Sequence, residues 1–173
     1  KKIRELRIEN LLDIGCGEGY YTSAMQAEVL QCVGVDIAKN AVQVAAKLNK
    51  NMTWVVGTGA TLPVLDASID LCTSLFSPIP KPEILRVLKP HACLMVVTPA
   101  EEHLYAMREA LFAEVNPHEP HKFVTQLQDA FELVEESVVD APLTLSQADL
   151  KHLIAMTPYA YKAKPERRQV LEQ

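Results

Sequence analysis

Three glycines at alternate positions, Gly15, Gly17 and Gly19, constrain this chain more than any other feature. They follow an apolar run, Leu11-Leu12-Asp13-Ile14, and lead into a helix-like segment that begins Tyr20-Tyr21-Thr22. A second apolar run, Cys32-Val33-Gly34-Val35, ends on Asp36 about twenty residues after the first glycine, the separation of the two halves of a nucleotide site. Alternate glycines let a backbone approach a ligand where a Cβ would collide. A carboxylate at the end of the next strand can accept hydrogen bonds from two ribose hydroxyls. A turn without a ligand rarely needs three glycines, so the pairing predicts a nucleotide-containing cofactor.

Dinucleotide sites use Gly-x-Gly-x-x-Gly and place a pyrophosphate at a helix N-terminus. Here the third glycine comes one residue early, and an acid, Asp13, precedes the first. A carboxylate repels a diphosphate but suits a cationic sulfonium amino acid. The Asp13-x-Gly15-x-Gly17-x-Gly19 pattern resembles that of Rossmann-like S-adenosylmethionine (SAM)-dependent methyltransferases, and SAM is expected in preference to NAD. The predicted cofactor contacts are Asp13, Gly15, Cys16, Gly17, Gly19, Tyr20 and Tyr21 around the loop, with Asp36 and Ile37 at the second strand. The small residues Gly57-Thr58-Gly59-Ala60-Thr61 leave room for an adenine ring. Gly59, Ala60 and Leu62 are expected there, with Leu62 covering one face and Ser77 at the end of a later strand.

Strand-like and helix-like patterns alternate through the first 110 or so residues, which predicts a parallel sheet with helices on both faces. Residues 1–9 read as the tail of a helix. Strands are expected at 10–15, 31–36, 53–57, 70–76 and 91–98, and helices at 19–28, 38–49 and 82–88. Beyond Pro99 the pattern predicts a helix over 101–115, a loop over 116–120 and a sixth strand over 131–140. A helix capped by Ser146, with Asp149 three residues on, should end at Thr157-Pro158. The pattern is α/β, and the SAM-loop resemblance above implies a Rossmann-like class I SAM-dependent methyltransferase fold. Residues 1–173 are read as one catalytic domain.

Composition narrows the partners. Seventeen Lys and Arg against 22 Asp and Glu give a formal charge of −5, not the basic footprint of a nucleic-acid binder. Lys151, His152, Lys162, Lys164, Arg167 and Arg168 nevertheless make the C-terminal segment basic. The cysteines Cys16, Cys32, Cys72 and Cys93 stand singly in apolar surroundings, unlike metal ligands and like reduced thiols of a cytoplasmic protein. No apolar run approaches the roughly 20 residues of a membrane span, and no signal-peptide pattern opens the chain.

A closer resemblance rests on a combination of motifs. Leu12 to Thr22, Arg86-Val87-Leu88-Lys89-Pro90, Thr98-Pro99 with His103-Leu104, Glu114-Val115 with His118-x-Pro120-His121, and Met156-Thr157-Pro158-Tyr159-Ala160 with Pro165-Glu166 resemble the bacterial 23S rRNA (guanine-N1)-methyltransferases. The resemblance implies methyl transfer from SAM to N1 of a guanine in a 23S rRNA hairpin, with a homodimer as a further partner arrangement and no membrane. It also implies an N-terminal zinc-binding domain and a final strand, neither found in these residues, so the resemblance implies a fragment of a longer chain with its last strand missing. Zinc is expected only in that missing domain. Leu88-Lys89-Pro90-His91-Ala92 resembles a common Leu-Lys-Pro-Gly-Gly turn with both glycines replaced.

The guanine N1 proton calls for a general base, and the sequence offers only Glu83 and His103 as candidates. Ser77-Pro78 is not the Asn/Asp-Pro-Pro-aromatic tetrad of enzymes acting on exocyclic amino groups. Phe76 reads either as a stacking partner for an unstacked base or as a buried strand-end residue. Two other functions fit the first half of the chain: methylation of a small molecule such as a quinone, and SAM binding without catalysis.

Overall fold

The computed structural model describes Ile3 and residues 8–171, which fall into two compact units, Lys1–Thr98 and Pro99–Gln173. The expected helix tail at the start of the chain falls largely outside the described residues.

The first unit is built on five parallel strands: β1 (Asn10–Ile14), β2 (Gln31–Asp36), β3 (Thr53–Val56), β4 (Ile69–Leu75) and β5 (Leu88–Val97). Their order is β3-β2-β1-β4-β5, every neighbouring pair running parallel. The chain winds outward from β1 in one direction and then returns to start β4 on β1's other side. That reversal creates a switch point between β1 and β4, where loops part and a crevice opens beyond the strands' carboxyl ends. Continuous apolar stretches explain why β1 and β4 lie at the centre: Leu11, Leu12, Leu71 and Cys72 are all buried, as strands covered on both faces require. Helix α1 (Tyr20–Gln26) contributes buried Met25, α2 (Lys39–Leu48) Val42 and Ala45, and α3 (Lys81–Val87) Ile84 and Val87.

Strand β5 begins three residues earlier than the sequence predicts. Leu88 pairs with Ile69, and pairing resumes only at Cys93 with Leu71, so residues 89–92 bulge out of the ladder. Pro90 has no N–H to offer, and His91 stands at φ +63°, the backbone region a glycine of the Lys-Pro-Gly-Gly turn would occupy without strain.

The second unit is helical: α4 (Tyr105–Leu111), α5 (His121–Leu127), α6 (Gln147–Met156), α7 (Tyr159–Lys162) and α8 (Pro165–Leu171). Its core is small, with Met107, Leu111 and Ile154 buried and Phe112, Leu150, Leu153 and Tyr159 packed around them. Ser146 caps α6 as expected, its hydroxyl accepting from the Asp149 N–H at 3.2 Å. Two expectations fail here. The helix read over 101–115 shrinks to α4 because Leu104 adopts φ +52° and the buried Arg108 gathers both flanks, donating to the Glu101 and Asn116 carbonyls at 2.9 Å each. The sixth strand over 131–140 is irregular. It joins no ladder, and Val134, Val138 and Val139 stay exposed, showing that β-branched residues make a strand only where a sheet accepts them.

Candidate cofactor site

The three glycines have three different tasks. All adopt positive φ (+78°, +54° and +79°), which favours glycine at each position. Gly15 lies against the loop after β4, where an added Cβ would come within 2.8 Å of Ser77 Oγ and overlap its Cβ. Gly19 lies against Trp54 of β3, whose indole also fills the space above Gly34 and donates to the Asn49 carbonyl at 2.8 Å. Only Gly17 faces open space, with no atom within 4 Å of where its Cβ would be. The loop is therefore clamped at both ends and uncovered at its centre.

Asp13 adds a tie beneath the loop. It is 2% exposed, and its carboxylate accepts from the hydroxyls of Thr22 at 2.6 Å and Thr73 at 2.7 Å. Burial pushes its carboxyl above the usual range against the pull of those two bonds, and the negative charge of Asp36 adds to the rise. Expected to face a cationic ligand, Asp13 instead ties β1 to α1 and β4 from beneath the loop. Ser77, the clamp at Gly15, is itself held in place, donating to the Ile14 carbonyl at 2.5 Å and accepting from Ser74 at 2.9 Å.

Asp36 lies half-buried at the carboxyl end of β2. It accepts from the Gly17 N–H and the Ala38 N–H, each at 2.8 Å. A carboxylate has about four acceptor positions, so roughly two remain for incoming hydroxyls. Beside it Ile37 is 76% exposed, an apolar side chain with an uncovered face. The open Gly17, the remaining acceptor positions of Asp36 and the exposed Ile37 together fit a nucleoside, and they fit it at the switch point.

The remaining predicted residues divide. Tyr20 and Tyr21 are both exposed at the start of α1, their rings edge to face with centroids 5.1 Å apart. Cys16 turns its side chain inward, and burial, followed by the charges of Asp13 and Asp36, pushes its thiol up to about 12. Its N–H is also taken, by the Val35 carbonyl at 3.2 Å. Gly59 and Ala60 sit in the turn after β3, where the Ala60 N–H donates to Thr58 Oγ1 at 3.2 Å and Gly59 lies against Pro80. Leu62, expected to cover a flat ring, is only 3% exposed; its side chain belongs to the core, and the exposed apolar face beside Asp36 is that of Ile37.

Glu83 is corrected as a candidate base. It accepts from the Leu62 N–H at 2.6 Å and from Arg86 at 2.7 and 2.8 Å, and those bonds hold its carboxyl down to about 2. A carboxylate so stabilised is a poor proton acceptor. Its role is to fasten the loop after β3 to α3, with Arg86 reaching the Leu62 and Val64 carbonyls and Asp66. His103 lies in the second unit, in the turn before α4 instead of at the helix start. Burial and then the Arg108 charge hold its imidazole below the ordinary value. Among the described residues, no group of three or more His, Cys, Asp or Glu could hold a metal ion.

Sequence reasoning missed Trp54, Thr22, Thr73 and Ser74. Trp54 alone carried a usable signal: it is the chain's single tryptophan, and a parallel register sets it opposite Gly34.

Comparison with known proteins agrees with this geometry. Residues 11–99 match the family model described as a methyltransferase domain. A 23S rRNA (guanine(748)-N(1))-methyltransferase of Streptomyces fradiae is 31% identical over 160 residues, 90% of this chain and 57% of that protein. The chain thus spans little more than half the length of that relative. Among solved structures, a candidate methyltransferase from Bacillus halodurans superposes with a TM-score of 0.67 at 20% identity, covering 98% of this chain and 80% of the other. The YcgJ protein of Bacillus subtilis gives 0.58 at 23% identity, over 74% and 64%. At these identities, the structural matches speak for the fold.

Proposed function

Because the chain belongs to the methyltransferase-domain family, we propose that it binds SAM and serves methyl transfer to N1 of a guanine in a 23S rRNA hairpin. The observation that carries the reading is the glycine loop at the switch point, clamped by Ser77 and Trp54, open at Gly17 and facing Asp36. Asp36 would accept the ribose hydroxyls, Ile37 would lie against the adenine, and the Gly17 backbone would face the amino-acid portion. When bound, SAM supplies an electrophilic methyl group on a sulfonium. The chain's own contribution is placement: the ties from Asp13 to Thr22 and Thr73, and from Ser77 to Ile14, fix the loop relative to the ends of β1 and β4. In-line transfer depends on such positioning for much of its rate.

The guanine acceptor is supported by the similarity to the Streptomyces fradiae enzyme over 90% of this chain. The basic residues Lys151, His152, Lys162, Lys164 and Arg167 are exposed on and beside helices of the second unit, where phosphates can reach them. No helix among the described residues is long and apolar enough to cross a membrane. The test is a transfer assay with methyl-labelled SAM, offering the whole protein either protein-free 23S rRNA or a metabolite extract. Label at N1 of one guanine is expected. Label in small molecules, with none in RNA, would replace this reading by small-molecule methylation.

A further inference from the structure

The cations of this chain are spread unevenly, and so are their partners. In the first unit Arg86 is paired with Asp66 and Glu83, and Lys89 with Asp70. In the second, residues 129–149 carry six acids and no Lys or Arg. Residues 151–168 carry Lys151, Lys162, Lys164, Arg167 and Arg168 against the single acid Glu166. Lys151, Lys162, Lys164 and Arg167 are all exposed, because Leu150, Leu153, Ile154, Tyr159 and Ala160 take the places against the unit's apolar cluster. Among the described residues, none of those four head groups meets a hydrogen-bond or ion-pair partner. Unpaired like charges repel one another, and an external anion relieves the repulsion.

Two tyrosines on the same short helix, α7, narrow what that anion is. Tyr159 packs edge to face on Phe112, with centroids 5.8 Å apart, and its hydroxyl lies 3.2 Å from His118 Nε2. Tyr161, beside Lys162, is 89% exposed, and among the described residues its ring and hydroxyl meet no partner. Duplex phosphates call for cations alone, whereas an unpaired strand is held by cations on its backbone and an aromatic ring under a base. We infer that α6, α7 and α8 form a docking surface for an unpaired stretch of RNA. Lys151, Lys162, Lys164 and Arg167 meet phosphates, and Tyr161 stacks on a base. The inference rests on the rRNA reading above and adds which face of the second unit takes up the strand. Neither kind of contact reads sequence, so the surface contributes affinity and orientation but not base identity.

The test uses the whole protein and a 23S rRNA hairpin with single-stranded flanks. It measures RNA affinity across a salt series, SAM affinity by calorimetry and the sedimentation of the free protein. A triple variant, Lys162→Gln with Lys164→Gln and Arg167→Gln, should lower the slope of log affinity against log salt by about two, at roughly 0.7 per single-strand phosphate contact. Lys162→Arg with Lys164→Arg keeps the charge and should keep the slope. Tyr161→Ala should weaken RNA binding about 5- to 100-fold at fixed salt without changing the slope, and Tyr161→Phe should restore it, since stacking uses the ring. SAM affinity should stay within about twofold throughout. An unchanged slope in the triple variant, or unchanged affinity in Tyr161→Ala, with a wild type that methylates RNA, would overturn the inference and leave the rRNA reading intact. A wild-type dimer that falls apart in the triple variant would overturn it too, by showing that the cations meet acids of a second copy. A wild type that labels small molecules and neither binds nor methylates RNA would remove the rRNA reading, and the inference with it.

Discussion

The two units are held together in different ways. In the first, the ties that shape the cofactor loop span long stretches of chain: Thr73 reaches Asp13 across 60 residues, and Ser77 reaches Ile14 across 63. In the second the spans are shorter: Arg108 reaches carbonyls seven and eight residues away, Tyr159 meets His118 across 41, and the buried apolar set is three residues. Helices of four to ten residues have little stability of their own and depend on the cluster they share. A sheet crossed by long-range bonds can hold a loop still enough to orient a ligand. A satellite cluster of short helices suits contacts that tolerate adjustment.

The largest expected effect tests whether the first unit's rigidity serves the cofactor. Gly17→Val places a branched side chain in the open space over the loop, at a φ that such a residue resists. SAM affinity should fall more than about 100-fold, beyond the roughly tenfold that each 1.4 kcal/mol represents. Far-UV circular dichroism should stay native, since no protein atom lies within 4 Å of the added Cβ and the backbone strain is confined to the loop. Retained binding in the folded variant would mean that the cofactor does not lie over Gly17.

Next comes a change confined to the second unit. Ile154 is fully buried, and Ile154→Ala should cost about 2–5 kcal/mol, felt first in that unit because its core is so small. Limited proteolysis beyond Pro99 should accelerate while calorimetric SAM affinity stays the same. A parallel loss of SAM affinity would break the comparison, because the cofactor site would then depend on both units.

A smaller effect tests the tie that Asp13 makes beneath the loop. Asp13→Ala leaves two buried hydroxyls without their acceptor and should cost about 2–4 kcal/mol in urea unfolding. Asp13→Asn keeps the shape and should cost less. The sign of the pH effect follows from the raised carboxyl: the folded state holds its proton more tightly than the unfolded one. The group's contribution is therefore greatest below the unfolded value and declines as pH rises through the folded one. The Asn variant lacks that decline, so its stability relative to wild type should improve from pH 4 toward pH 8. A flat difference across that range would mean that Asp13 titrates normally.

The same contrast explains what the sequence allowed to be read. Apolar runs and helix periods located all five strands and the first three helices, because a buried parallel sheet leaves continuous apolar stretches that nothing else produces. That Asp36 ends a strand and that Gly17 needs glycine's backbone freedom were legible because an apolar run closing on an acid and alternate glycines report backbone geometry. Asp13 was misjudged because its partners, Thr22 and Thr73, are ordinary hydroxyls whose convergence exists only in the folded sheet. Glu83 was misjudged for the same reason, Arg86 being unremarkable until its guanidinium is placed. In the second unit, the Ser146 cap was visible since it acts over three residues. The breaking of a helix at Leu104 and the failure of 131–140 to form a strand depended on tertiary partners that local pattern does not encode.

The smallest prediction concerns the bulge in β5, where sequence and structure meet directly. The Leu-Lys-Pro turn is followed by His91 instead of glycine, and the structure holds His91 at φ +63°, exposed to solvent. Nothing in the described contacts draws on its imidazole, so the side chain brings backbone strain without a compensating bond. His91→Gly removes the strain but loosens the unfolded chain, two opposing effects of similar size. For a non-glycine residue the left-handed cost is roughly 1–2 kcal/mol, and the entropic penalty of glycine is about 0.5–1 kcal/mol. The balance favours glycine by about 0.5–1 kcal/mol, a rise in urea midpoint with unchanged slope. SAM affinity should not move, because the bulge lies at the amino end of β5 and the cofactor loop at the carboxyl end of β1. A destabilised His91→Gly variant would show that the imidazole is held by an interaction worth more than the strain, and that the bulge keeps its side chain against the backbone's preference.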